Sequence, residues 1–482
     1  MAVDGTTGAG ECTVTPLRFT FAPAQGPVGG VITLEGTELD RATSVVIAGT
    51  PALLLHRGPT HLRALVMPGT QSGVVEVMTS AGPATSTTEF TRTTVEAGQL
   101  QLEPTLNPSD LAGPGEFGSS LSLDAEGKTI VVGALRDASG FLGASWVFAR
   151  ADAGGFTQQG PKLADPTRAA TARCQGIATA IDALGETLVV GGPCTTGATW
   201  TYQRQPNGTW AQQGPVLAAL NRDGAFEANT LALSADGHTL LVGVYDSGDA
   251  GVTAMVFERA PDGGWTPPGA RLTADARGAR SASTALDFTG TVAIVAASYE
   301  STGESTAWIF ARGASGWRLE GGPLRGDDAR PLPTYRASVA LSGDGRVAFL
   351  TGVRALDGGA TGAVWRFTRT AEDGGWRQHG PRLDVTPQVS FGYARQPLAV
   401  SAEGDRVLLA GMNVARTSAA LVQYRTTGSD WTLVGAPLFY GNGGIGASGH
   451  VPFVAMSLDG HTAALSAVAN DGSRGGVRVI GR

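Results

Sequence analysis

Lysine is almost missing from this 482-residue chain: only Lys128 and Lys162 occur, and arginine carries nearly all of the positive charge. Charged residues make up 16% of the chain and the formal net charge is −7. There is thus no basic footprint of the kind that grips a phosphate backbone, and nucleic acid is not an expected partner. No run of eighteen apolar residues is present, which excludes an ordinary transmembrane helix, and no basic amphipathic stretch suggests membrane insertion. The opening MAVDGTTGAGEC has neither the charged head nor the apolar core of a secretory signal. The chain therefore reads either as cytoplasmic or as a mature form whose signal has been removed. Three cysteines and six histidines leave little material for a thiol or metal centre, and HExxH, GxSxG and CxxC patterns are absent. No metal or other cofactor is expected. Nor is an enzyme, although carboxylates could meet over a ring axis without any local motif.

Glycine is what the chain has in abundance. Its 70 residues punctuate short apolar runs, which favours a turn-dense, all-β class. Those runs repeat. WVFAR, TYQR, VFER, WIFAR, RFTR, VQYR and RVIGR end at Arg150, Arg204, Arg259, Arg312, Arg369, Arg425 and Arg482, spaced 53 to 57 residues apart. The octets FTQQGPKL (Phe156 to Leu163) and WAQQGPVL (Trp210 to Leu217) recur in looser form from Trp265, Trp317, Trp376 and Trp431. Each unit holds four runs of strand length; in the first they are SSLSL, TIVVGA, ASWVFAR and the octet. Turns such as DAEGK, SADGH and SGDGR join the first two runs, with glycine supplying the positive φ of a tight hairpin. Seven four-stranded units at this period predict a seven-bladed β-propeller. The seventh unit holds only three strands, so the segment Val95 to Leu102 (VEAGQLQL) is expected to close it as an N-terminal strand.

FGSSLSLDAEGKTIVVGA (Phe117 to Ala134), GASWVFAR and FTQQGPKL together resemble bacterial FG-GAP repeats, relatives of the integrin α-subunit propeller. The resemblance covers roughly 97–482 and implies a ring that binds protein or glycan partners. Calcium-binding members carry an acidic loop after the first strand, whereas here Asp124 and Glu126, or Asp236, offer too few carboxylates for a cation that takes six to eight oxygens. Residues 13–93 differ in texture, with short alternating strands and close Gly/Pro turns that suit a small Ig-like β-sandwich. Pro23, Gly26, Pro27, Gly29 and Gly30, with the VIAGTPA strand, resemble the IPT/TIG domain. The expected organisation is a free N-terminus over 1–12, the Ig-like sandwich over 13–93 and the propeller over 94–482. His56 and His61 lack a third ligand and read as surface residues. RGD at Arg325–Asp327 and NGT at Asn207–Thr209 are each explained by composition and hairpin chemistry.

Cys174 opens the inner strand of the second unit and Cys194 follows its second strand. Both are equidistant from Leu184 in the turn DALGE, so an antiparallel hairpin centred there would set them opposite one another, close enough for a disulfide. A disulfide implies an oxidising compartment, hence a secreted or cell-surface protein. Second-to-third loops and inter-blade connections vary most and fall on one end of the ring, where function concentrates on a rigid scaffold. Aligned on the second strand, that rim presents Arg136, Tyr245, Asp246, Tyr299, Glu300, Arg354 and Asn413, a set suited to a sugar or peptide. The expected function is an extracytoplasmic binding or adhesion module for a glycan or extracellular protein. The alternatives are a secreted propeller hydrolase or lyase and a structural component of a surface assembly. Thiol labelling of denatured, unreduced protein is expected to find Cys12 alone; labelling of all three cysteines would exclude the disulfide.

Overall fold

The computed structural model describes residues 17–95, 101–138, 141–152, 154–165, 174–192, 198–218, 226–245, 253–266, 269–274, 279–299, 304–327, 337–356, 359–370, 374–390, 397–441, 452–467 and 474–481. Eight strands between Phe19 and Arg92 form a front unit, in which Thr50–Arg57 pairs with Ala42–Ile47 through its first half and with His61–Leu65 through its second. Alternate residues point inward along these strands. Ile32, Leu34, Leu62 and Ala64 therefore meet Val45, Ile47, Val75, Val77 and Phe90 in one core.

The rest of the chain is an all-β, seven-bladed propeller. Blade 1 pairs Phe117–Leu123, Thr129–Ala134, Ala144–Arg150 and Phe156–Gln158 in order, all antiparallel. Six further sheets repeat that order. Every residue of Thr129–Ala134 is buried, because a neighbouring blade covers each face. Ile130 and Val132 pack with Phe453, Ala464 and Val479 of blade 7, while Val131 packs with Leu188, Val190 and Trp200 of blade 2. This two-sided burial is what makes the second run of each unit apolar at successive positions.

The seventh sheet runs Val454–Met456, Ala463–Ser466, Val477–Gly481, and then Gln101–Leu106 from the start of the propeller. Leu106 lies opposite Val477 and Gln101 opposite Gly481. The strand added to this sheet thus begins at Gln101, near the C-terminal end of the expected segment, of which 96–100 lie outside the described residues.

Four of the repeated arginines are latches between blades. Arg150 of blade 1 donates to Glu103 on the strand completing blade 7, at 2.9 and 3.2 Å. Arg259 of blade 3 donates to Gln203 and Gln213 of blade 2, at 2.6 and 3.0 Å. Arg312 pairs with Glu258 of blade 3, and Arg369 with Glu320 of blade 4. The octet glutamine has its own task. Gln158 Nε2 donates to the Gly160 carbonyl and its Oε1 accepts the Ser109 N–H, both at 2.8 Å. Gln378 does the same with Gly380 and Asp327. One side chain thereby fixes both the exit turn of its blade and the connection that enters it. Deleting Gln101–Leu106 is expected to lower the melting temperature strongly, since it exposes the edge of Val477–Gly481 and removes the acceptor of Arg150. A variant that melts as the full chain does would show that the ring is closed by other means.

Candidate binding face

The two ends of the ring differ in kind. At one end lie the turns between first and second strands, each capped by the side chain that opens it. Asp182 accepts the Glu186 and Thr187 N–H groups, while Ser342 Oγ accepts from Arg346 and Val347 and donates to Asp344. In blades 1 to 5 the residue after the cap bonds sideways to the next blade. Ala125 N–H donates to Ala183 O, Ala183 to Ala235, Ala235 to Phe288, Phe288 to Gly343 and Gly343 to Ala402, while Asp459 N–H returns to Ala125 O. Together these bonds form an arc around the axis, from blade 7 through blade 1 to blade 6.

The front unit sits on that arc. Leu65 and Met67, with Val31, Leu53 and Leu55, pack against Ala125, Ala183, Ala235, Phe288 and Leu458. Gly29, at φ 83°, lies against the Leu458 carbonyl, where any Cβ would collide. Arg92 and Glu403 of blade 6 form an ion pair at the margin, at 2.7 Å. The front unit is therefore a plug over one end of the axis.

Burial is the largest influence on the caps facing this plug. It pushes the Asp182 carboxyl up to about 7 and that of Asp124 up to about 6, against the N–H and hydroxyl groups that favour the charged form. Neighbouring glycines enforce the crowding, since Gly185 packs over the Asp124 carboxylate and Gly237 over that of Asp182.

Towards the other end, the inner strands line a small axial cavity of about 50 Å³, bordered by Thr179, Thr230, Ser283, Thr284 and Ser338, with Ile177, Leu231 and Phe453 among its apolar walls. Some of these hydroxyls also stitch neighbouring blades, as Thr284 Oγ1 does in donating to Thr230 Oγ1 at 3.2 Å. The described lining holds no charged side chain.

The predicted rim residues divide. Asn413 turns into its own hairpin, its Oδ1 accepting the Thr417 and Ser418 N–H groups and its Nδ2 donating to Thr417, so it caps that turn. Tyr299 is half-buried at the end of Val292–Tyr299 and packs on the core between blades 3 and 4. Arg354 lies within a continued ladder, opposite Thr361, and Tyr245 ends its strand opposite Phe226. Arg136 is held by Glu116, a fully buried carboxylate 3.2 Å from Nε, and its guanidinium lies 4.3 Å over the Phe141 ring. Asp246, Glu300 and Cys194 lie outside the described residues.

The register of blade 2 sets Ala178 opposite Gly191, one residue off the centre assumed for the cysteines, so a continued ladder would bring residue 195 opposite Cys174. The ladder does not continue. Cys174 has φ 63° and gives its N–H to Phe141 O of blade 1. In the RGD stretch Gly326 lies against the Trp365 indole and Arg325 pairs with Glu304 at 2.9 Å, which ties it into the blade connection.

Sequence reasoning missed a polar cluster on this face of blade 1. Lys162 Nζ meets the fully buried Asp137 at 2.5 Å, while Asp110 accepts from Trp146 Nε1 at 2.6 Å and from Lys162 N. Burial raises the Asp110 carboxyl, but these hydrogen bonds and the Lys162 charge outweigh it and hold the group below its ordinary range. The signal was a lysine in a chain that otherwise uses arginine.

No family model and no curated protein matches the chain. Among solved structures it is similar to hydrazine synthase from Kuenenia stuttgartiensis, at 14% identity and a TM-score of 0.49, over 78% of this chain and 97% of that one. It is also similar to an oligogalacturonate lyase from Vibrio parahaemolyticus, at 9% identity and a TM-score of 0.46, over 79% and 96%. A third is an auxiliary nutrient binding protein from Bacteroides thetaiotaomicron, at 12% identity and a TM-score of 0.37, over 97% and 98%. Two of these three carry the names of enzymes, against the expectation that the chain is not one.

Both Asp shifts are upward, so the folded ring keeps protons that the unfolded chain releases. The resulting stabilisation is full below the ordinary carboxylate value of 3.8 and is lost as pH rises through about 6 and about 7. The melting temperature is expected to fall between ~pH 5 and ~pH 8 by the equivalent of a few kcal/mol. Asp124→Ser with Asp182→Ser, the cap used at Ser234, Ser342, Ser401 and Ser457, is expected to flatten that fall. An identical slope in the double variant would place the pH dependence elsewhere.

Proposed function

We propose that the protein is an extracytoplasmic binding module that takes a neutral glycan at the axial mouth opposite the front unit. The observation that carries this reading is the plug: the arc Ala125–Ala183–Ala235–Phe288–Gly343–Ala402 and the apolar side chains of the front unit occupy one end of the axis. A ligand then enters from the other end, where hydroxyls and apolar walls without charge suit a saccharide better than a phosphate or a uronate. In this reading the front unit is an Ig-like sandwich of the IPT/TIG kind, and the blades are FG-GAP-like repeats closed by the N-terminal strand. Secretion or surface display goes with a Cys174–Cys194 bridge, for which the burial of Cys174 beside the Phe141 carbonyl is suitable ground.

Immobilised neutral oligosaccharides are the direct test. Thr230→Trp, which places a large side chain in the axial cavity, is expected to abolish retention while the fold is kept. Retention unchanged by that substitution would put the site elsewhere, and no retention of any saccharide by the wild type would overturn the reading.

A further inference from the structure

Phe141 is an exposed aromatic ring in a place where exposure has to be maintained. It lies between the second and third strands of blade 1, on the face away from the front unit, and 42% of it is open to solvent. Its backbone is left-handed, at φ 60°, a conformation that costs a bulky residue on the order of 1 kcal/mol or more and persists only where the surroundings enforce it. Those surroundings are specific. The Phe141 carbonyl accepts the Cys174 N–H of blade 2 at 2.7 Å, and the next carbonyl, of Leu142, accepts the Gln175 N–H at 3.1 Å. Three residues beyond Cys174, Ile177 lines the axial cavity, so the backbone that holds Phe141 leads directly to the mouth.

The Arg136 guanidinium braces the ring, 4.3 Å from its centroid. Glu116 and the backbone bond from Arg136 N to Gly115 O hold that arginine in turn. Nε faces Glu116, and the guanidinium covers one face of the ring while 42% of Phe141 stays open to solvent. A fixed, exposed aromatic face is complementary to one common chemical shape. A β-linked pyranose has a patch of axial C–H on its face and equatorial hydroxyls at its edge.

We infer that Phe141 is a stacking platform for a pyranose ring at the axial mouth, braced by Arg136 on the opposite face of the ring. This rests on the glycan reading above and assigns the residue that would make first contact. A purely structural Phe141 would be turned inward or replaced by glycine, which adopts the same φ without strain.

Titration calorimetry of the full chain with cellotetraose and with lactose tests it. At least one is expected to bind, with Phe141→Ala weakening that binding by about tenfold. Phe141→Trp should retain it, Arg136→Gln should weaken it, and Val414→Ala, at an exposed apolar position on blade 6, should leave it unchanged. Equal affinity of wild type and Phe141→Ala, with Thr230→Trp inactive, would remove the platform and keep the axial site. Weakening by Phe141→Trp as severe as by Phe141→Ala would also count against stacking. Failure of the wild type to bind either sugar would overturn the inference together with the reading beneath it.

Discussion

The hydrogen bonds that pass from inner turn to inner turn, in an arc around the axis, set the terms for the rest of the structure. A backbone donor must reach a backbone acceptor in the neighbouring blade, so the residue that carries it is small in most blades: Ala125, Ala183, Ala235, Gly343 and Ala402. The turn beside it must be tight, which calls for an Asp or Ser cap and a glycine able to lie over the cap of the preceding blade. Carboxylates at some of those caps are then buried deeply enough to resist ionisation. The flat apolar floor that results is also the surface on which the front unit rests. The front unit is a plug for this reason: Ala125, Ala183, Ala235 and Phe288 face outward along the axis, and Leu65 and Met67 cover them.

Much of this was legible in the sequence because it repeats. The arginines that marked the units do the same job in several blades, reaching back to an acceptor on the preceding one, and the octet glutamine binds the same two backbone groups in blades 1 and 5. A residue whose task recurs with the period announces itself. The rim did not, because its residues have different tasks in different blades. Asn413 and Arg136 occupy neighbouring places in an alignment, yet one caps a hairpin and the other leans on an aromatic ring. The cysteines belong to a hairpin whose centre differs slightly from the one assumed. A hairpin centre taken as one residue, Leu184, lies between two in the actual register, and the strand kinks before it reaches Cys174. Phe141 gave no signal at all, since its exposure depends on a backbone conformation fixed by a blade that follows it in sequence.

Blade 1 carries most of the irregular chemistry on the open face. The Asp110, Asp137 and Lys162 cluster holds the connection that follows the closing strand, and Glu116 at its end holds Arg136. The first blade is where the ring is joined, so it needs fastenings that the others do without. A scaffold made rigid there for closure is also where a side chain can be kept in a strained, exposed pose. Join and rim thus share their supports.

The pairing of Gln101–Leu106 with Val477–Gly481 also sets a timetable. A ribosome makes the first of these strands before any blade exists and its partner only after all the others. Throughout that interval the early strand has no sheet to join, and the growing arc of blades presents an open edge at each end. Short outer strands such as Phe156–Gln158 and Trp210–Gln212 give stray chains little to pair with during the wait. The ring can lock only once residues near 480 have cleared the exit tunnel. Slow synthesis therefore does not help this chain to close early, and nascent propellers on neighbouring ribosomes could exchange closing strands before each has its own.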